Sequence, residues 1–341
     1  MRRGALIVAL LVAWAAFGFG INRLLDSRKS TLIQARSAIS PTKETPAFTL
    51  PGTIWVSQGG HLYKLRGRLF TDVALPAAAG SWIQPAIAGP GQLLVVARAA
   101  EYSDIYLVDA SGAVRQLTRN ANAAHVERNA WSYWPHLAAD GTTVVFAYDG
   151  PKIGTFEVHL AVWSGPLSGK LESTQWTTPT SYTGGDVAPV PLLDGGVLYS
   201  SYSITSSEQI VSRIAAVARP GASPVFLTAG SDDCGEPAVS PDGSELAVVC
   251  TSDTQTARLE LIPLVKGVPG APKVLIRSCL CASPAWSPDG SSLLYLAPAD
   301  ATGHFQLWWL ANPAAATPPA PRALTTNLDL DATSPPAWSS A

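Results

Sequence analysis

Pro284-Ala-Trp-Ser-Pro-Asp-Gly290 is the fullest of six related stretches spread along the chain, and its copies decide the fold. Aligned on the proline, the others are Pro85-Ala-Ile-Ala-Gly-Pro-Gly91, Pro135-His-Leu-Ala-Ala-Asp-Gly141, Pro189-Val-Pro-Leu-Leu-Asp-Gly195 and Pro237-Ala-Val-Ser-Pro-Asp-Gly243. In all five a Gly stands six residues after the Pro, and successive prolines lie 50, 54, 48 and 47 positions apart. A sixth copy, Pro336-Ala-Trp-Ser339, begins 52 residues after Pro284, and the sequence stops inside it.

The turn sets the physics of each unit. Asp-Gly supplies the positive φ of a tight hairpin, and an apolar run follows it at Thr142–Ala147, Glu245–Val249 and Ser292–Ala297. A third strand is expected at Ile105–Val108 or Gln306–Leu310, and a fourth at Val114–Thr118, Val225–Thr228 or Arg322–Thr325. Four short antiparallel strands in roughly 50 residues is the period of a propeller blade. Strands apolar on both faces fit blades sandwiched between neighbours.

The count closes on itself. Thr53–Ser57, His61–Leu65 and Leu69–Leu75 supply second, third and fourth strands without a first, and Ser334–Ser340 supplies a first strand alone. Together they complete one blade, which removes the exposed edges of an open stack. The expectation is an all-β, six-bladed β-propeller over residues 53–341, closed by one strand from the end and three from the beginning. Pro-x-Trp-Ser-Pro-Asp-Gly resembles the WD-type repeat of the TolB family. So does the Leu-Thr at the end of the fourth strand, at Leu117-Thr118, Leu227-Thr228 and Leu324-Thr325. The resemblance implies the propeller fold from about Thr53 onward. It carries little about function, because such propellers serve many partners, and the separate N-terminal domain of TolB itself is not seen.

Composition agrees with a large folded body: 47% hydrophobic and 14% charged residues, with 28 Gly, 28 Pro and 11 Trp in 341 residues. Before Glu44, seven basic residues face one acid; from Glu44 onward, 16 basic and 24 acidic residues remain. Such a surface repels a phosphate backbone, so no nucleic-acid partner is expected. Met-Arg-Arg precedes an uncharged apolar stretch from Gly4 to Ile21, followed by Asn22-Arg23-Leu24-Leu25 with no small-residue cleavage pattern. An uncleaved transmembrane anchor over 4–21 is expected, with residues 1–3 cytoplasmic and 22–52 a juxtamembrane stalk and linker. This places the propeller outside the cytoplasm of a single-pass protein, an orientation that leans on the cysteines.

Cys234 and Cys250 mirror each other about Asp242, which suits a cross-strand disulfide and leaves Cys279 and Cys281 for a second. Cys234 and Cys281 each lie three residues before a blade's Pro, so a bridge between blades competes. The spacing does not fit a zinc site, and neither metal nor cofactor is expected.

Propeller ligands gather where loops lead into the innermost strands. Here one side of that mouth is aromatic, with Trp82, Trp131, Tyr133 and Trp134, and the other acidic, with Asp186, Asp232, Asp233, Glu236, Asp329 and Asp331. A partner bringing basic and apolar groups, such as a peptide segment of another envelope or membrane protein, would suit it. The bland alternative is that the tryptophans wedge between blades and the acids are solvated. His136 replaces the Ala or Val that other copies carry after the Pro, and it faces a neighbouring blade or the channel. It reads first as a neutral core histidine. Asp140, Asp194, Asp242 and Asp289 are hairpin residues.

No phosphate-cradling loop, HExxH helix or Gly-x-Ser-x-Gly elbow occurs. The leading expectation is a membrane-anchored binding platform without catalysis of its own. Two alternatives stand beside it: a sensory partner of a membrane signalling protein, and an enzyme acting on glycans or peptides through Glu236, Asp186 or His136.

Overall fold

At the Asp-Gly turns the glycine takes the left-handed backbone that the hairpin demands, with φ of 73° at Gly243 and 71° at Gly290. The Asp is the clamp. Asp289 accepts the Ser287 hydroxyl at 2.6 Å and the Ser291 amide at 3.1 Å, while Ser287 Oγ accepts the Ser292 amide at 2.9 Å. Asp242 repeats the arrangement with Ser240 and Ser244. Ser-Pro-Asp-Gly is thus a self-capped turn joining first to second strand.

A computed structural model describes residues 45–340, apart from 77–79, 153–157, 180–183, 252–255 and 300–302. The expected anchor at 4–21 and most of the stalk lie outside those residues; among the described residues no helix is long and apolar enough to cross a membrane.

The strands form six antiparallel sheets. Blade 1 holds β1 (Thr53–Gln58), β2 (His61–Arg66) and β3 (Leu69–Asp72). Blade 2 holds β4 (Ser81–Gly89), β5 (Gln92–Arg98), β6 (Ser103–Val108) and β7 (Val114–Gln116). Blade 3 holds β8 (Ser132–Leu137), β9 (Thr143–Tyr148), β10 (Ala161–Pro166) and β11 (Thr174–Gln175). Blade 4 holds β12 (Asp186–Pro191), β13 (Val197–Ile204), β14 (Ile210–Val217) and β15 (Val225–Phe226). Blade 5 runs from β16 (Cys234–Val239) and β17 (Glu245–Thr251) to β18 (Ala257–Val265), whose end folds back on β19 (Val268–Pro269) before β20 (Lys273–Cys279) pairs alongside. Blade 6 holds β21 (Ala282–Trp286), β22 (Ser292–Pro298), β23 (Phe305–Ala311) and β24 (Arg322–Ala323). Last comes β25 (Ala337–Ser339), which pairs with β1 in the register Thr53↔Ser339, Ile54↔Trp338, Trp55↔Ala337. The ring closes by the expected one-plus-three pairing.

Six apolar clusters fill the seams, one between each pair of adjacent blades. Second strands such as β5 and β22 are buried on both faces because each blade has two neighbours. Trp338 packs with Ile54 and Leu294 across the closing seam, and its indole N–H donates to Pro51 O at 2.9 Å. The chain ahead of β1, read as linker, already touches the propeller: the Ala47 amide donates to Leu324 O at 3.0 Å, and Phe48 lies edge-on to Trp309.

The fourth strands stop about two residues earlier than expected, at Gln116, Phe226 and Ala323. The Leu-Thr pair explains the difference. Thr118, Thr228 and Thr325 each accept, on the hydroxyl, a third-strand amide at 2.9 Å (Ile105, Ile214 and Leu307), and Thr177 does the same for Val162 at 3.0 Å. A side chain replaces the next backbone ladder bond and lets the chain leave for the next blade.

Candidate functional site in the central channel

Each of the five complete innermost strands bends at the residue before its anchoring proline. Gln84, Trp134, Ala188, Glu236 and Ser283 all hold φ between 49° and 54°. The strand register skips at the same place in every case. A left-handed conformation is unusual for such residues and costs about 1–3 kcal/mol each, so the bulge must be held by its surroundings.

It is held by neighbouring blades. The Gln84 side chain accepts the Trp134 amide at 2.8 Å, and Glu236 Oε2 accepts the Ser283 amide. Ser334 Oγ accepts the Gln84 amide at 2.7 Å, and Ser200 Oγ accepts the Glu236 amide at 3.2 Å. Ser283 Oγ donates to Ala332 O at 2.8 Å, and Gln84 Nε2 to Thr333 O at 3.2 Å. The bulges therefore present a belt of side chains around the axis, tied blade to blade.

Inside this belt lies a cavity of about 630 Å³ lined by residues of all six blades. Its walls are mostly apolar, with Leu160, Val187 and Pro237 among them, and Tyr202 and Gly184 stand toward the end where the innermost strands begin. Among the described residues of the lining, Glu236 is the sole carboxylate and there is no Lys or Arg. It stands open to the channel space yet is surrounded by protein. Loss of bulk solvation pushes its pKa up to about 7 against the opposing Ser283 bond. His136 lines the same cavity, and burial lowers its pKa despite nearby backbone acceptors at Trp134 and Pro189, so it is neutral.

Of the residues expected at the mouth, Trp134, His136 and Glu236 line the channel. Trp131 stacks on Tyr133 at 5.8 Å between centroids, and Tyr133 leans on Trp134 at 5.4 Å, so an aromatic file runs from the loop into the channel wall. The Trp131 amide is pinned by Asp149 Oδ1 at 2.6 Å. The remaining residues sit elsewhere. Trp82 is buried in the seam between blades 1 and 2, edge-on to Tyr106, as the wedge reading holds. Asp186 is buried and takes hydroxyl bonds from Thr177 and Ser201; burial raises its pKa all the same. Asp233 accepts the Ser212 amide at 2.7 Å, and Asp232 lies 3.8 Å from Arg258. Asp329 pairs with His304 at 3.0 Å, and Asp331 caps its own turn through Thr333. These acids hold loops in place. Gln84 and Ser283, which complete the belt with Ser200 of β13, were not singled out from sequence; for those two the signal was the column immediately before each anchoring Pro.

The disulfides are Cys234–Cys250 and Cys279–Cys281. The first joins residues directly opposite each other on β16 and β17, as mirror symmetry about Asp242 requires. The competing bridge between blades does not form.

Fold and channel together define a TolB-like six-bladed β-propeller. No family model and no curated protein matches the sequence. Among solved structures, TolB from Acinetobacter baumannii is similar at 16% identity and a TM-score of 0.63, covering 84% of this chain and 66% of that one, just under two thirds of its length. A putative TolB from Agrobacterium tumefaciens aligns at 13% identity and 0.58, over 86% of this chain and 92% of that one. A gluconolactonase from Xanthomonas campestris aligns at 12% identity and 0.51, over 86% and 90%. Identities this low establish a shared fold only.

Proposed function

We propose that this protein is a membrane-anchored, extracytoplasmic docking platform, without catalysis of its own, that receives a segment of another envelope or membrane protein at the channel mouth. The observation that carries the reading is the aromatic file from Trp131 through Tyr133 to Trp134, which leads from the loop surface into an apolar channel holding one carboxylate among its described residues. Aromatic anchors beside an apolar pocket are the commonest energetic centre of a protein interface. The extracytoplasmic placement is supported by two disulfides and by the apolar stretch from Gly4 to Ile21.

The test is site-specific photo-crosslinking from position 131 in intact cells. A discrete partner is expected, and its capture through a second crosslinking position at Val158 should fall at least about tenfold in a Trp134→Ala, Glu236→Gln protein. Unchanged capture would remove the channel from the interface. If the partner is a signalling protein, the same experiment identifies the sensory role.

A catalytic reading has one observation in its favour: Glu236, with a pKa of about 7 in a channel, suits proton transfer at neutral pH. It needs a second group within reach of the same substrate, and His136 is the channel-lining candidate. Screening lactones, glycans and peptides, with Glu236→Ala as control, decides it.

A further inference from the structure

Among the described residues the carboxylate of Glu236 has no cationic partner. Its described lining neighbours include neither Lys nor Arg, and the other titratable groups among them are neutral His136 on β8 and Tyr202 on β13. No charged side chain contributes to the displacement of its own titration, which comes from burial, opposed by the Ser283 amide. A carboxylate facing a protein-walled channel without a counter-charge is poorly solvated, and proteins ordinarily pair or neutralise such a group.

We propose that the missing partner is supplied from outside: the channel binds an aliphatic ammonium group, with Glu236 as its counter-ion and the apolar wall around its methylene chain. The proposal rests on the docking role above and names the chemistry its occupant brings.

The geometry selects among cations. Oε2 is engaged by the Ser283 amide, so one carboxylate oxygen is left for the occupant. A guanidinium binds best through two parallel bonds to both oxygens, whereas an ammonium is a compact point charge satisfied by one. A divalent metal needs several oxygen or nitrogen ligands converging at about 2–2.6 Å. Among the described residues the one group of three candidate ligands that come together is Cys234, Cys250 and Glu260, where the two cysteines are already bonded to each other; Glu236 belongs to no such set. The wall, lined by Leu160, Val187 and Pro237, solvates methylenes and not a bare ion.

Proton linkage follows. Free Glu236 is ionised above about pH 7 and protonated below it. An ammonium prefers the ionised form, so affinity is full above that pH and falls by up to about tenfold per unit below it.

The experiment is isothermal titration of the full-length protein with n-hexylammonium chloride, against n-hexanol and n-hexylguanidinium. At about pH 8 the ammonium should bind at least tenfold more tightly than the alcohol, and at about pH 5.5 that advantage should disappear. Glu236→Gln should erase the pH dependence and the preference over the alcohol while the fold survives, because a glutamine amide oxygen can still accept the Ser283 amide, as Gln84 accepts that of Trp134. A capped Ala-Lys-Ala peptide against its norleucine counterpart separates the two sources of the ammonium. A preference for lysine points to a side chain of a partner protein, and binding of the alkylammonium alone points to a free amine. Equal binding of amine and alcohol, undiminished amine binding by Glu236→Gln, tighter binding of the guanidinium, or no binding by any amine overturns the proposal. A partner crosslinked at position 131 without amine binding would leave the docking role standing and remove the ammonium.

Discussion

Asp140 shows how little of a propeller's carboxylate chemistry is functional. Its Oδ1 accepts the Thr142 and Thr143 amides, each at 2.8 Å, and Oδ2 accepts the Thr143 hydroxyl at 2.6 Å. These bonds favour the charged form, led by the Thr143 hydroxyl, and bring the pKa down to about 2. A lowered folded pKa gives stability that is present above the ordinary carboxylate range and lost as pH falls through the folded value. Asp140→Asn should therefore lower the melting temperature at neutral pH by about 1–2 °C, a modest figure because the site is exposed. The difference from wild type should shrink to nothing toward pH 2, as followed by circular dichroism. Glu236 has the opposite sign, and the contrast comes from place alone: one carboxylate sits at a solvated hairpin collecting donors, the other in a channel with one.

Strands, turns and disulfides were legible in sequence wherever local chemistry repeats. Ser-Pro-Asp-Gly marks the inner hairpin, Leu-Thr the fourth strand, and the mirror of Cys234 and Cys250 about Asp242 the register between β16 and β17. The bulge before each anchoring Pro was not legible, because a left-handed residue ahead of proline runs against ordinary steric preference and depends on acceptors from another blade. Trp82 carried two readings, a mouth residue and a wedge between blades, and its place in the seam against Tyr106 is the wedge. Element-scale outcomes test the closure and the staples. Trp338→Ala removes a buried indole from the closing seam and should cost about 3–5 kcal/mol in chemical denaturation. Truncation before Pro336 strips β1 of its inner partner and should turn a monodisperse protein into an aggregating one by light scattering. Of the disulfides, Cys234–Cys250 spans 16 residues and should contribute about 3 kcal/mol by loop entropy, whereas Cys279–Cys281 spans 2 and should contribute roughly half that. Paired alanine variants, compared by denaturant midpoint, measure both.

At the scale of the whole ring, five blades contribute a strained residue to the axis and several of these are held by a side chain from the neighbouring blade, so the channel belongs to no single blade. Closure makes that arrangement possible, since Ser334, Thr333 and Ala332 reach back to Gln84 and Ser283 from the segment leading to β25. A ring built this way can hold at its centre a carboxylate with no cation beside it among the described residues, and the cost should be visible in the stability of the empty protein. Glu236 has a folded pKa of about 7 against an ordinary 4.5, so it favours the folded state fully at acid pH. That contribution is lost as pH rises through the folded value. Buried Asp104 and Asp186, both raised by desolvation, act in the same direction. Without an occupant, the melting temperature should therefore decline from about pH 5 to about pH 8. Glu236→Gln should flatten part of that decline and leave the rest to the other two acids. A wild-type profile that matches the variant's would mean that the channel already neutralises its carboxylate by some contact within the fold, and the argument for an external cation would lose its footing.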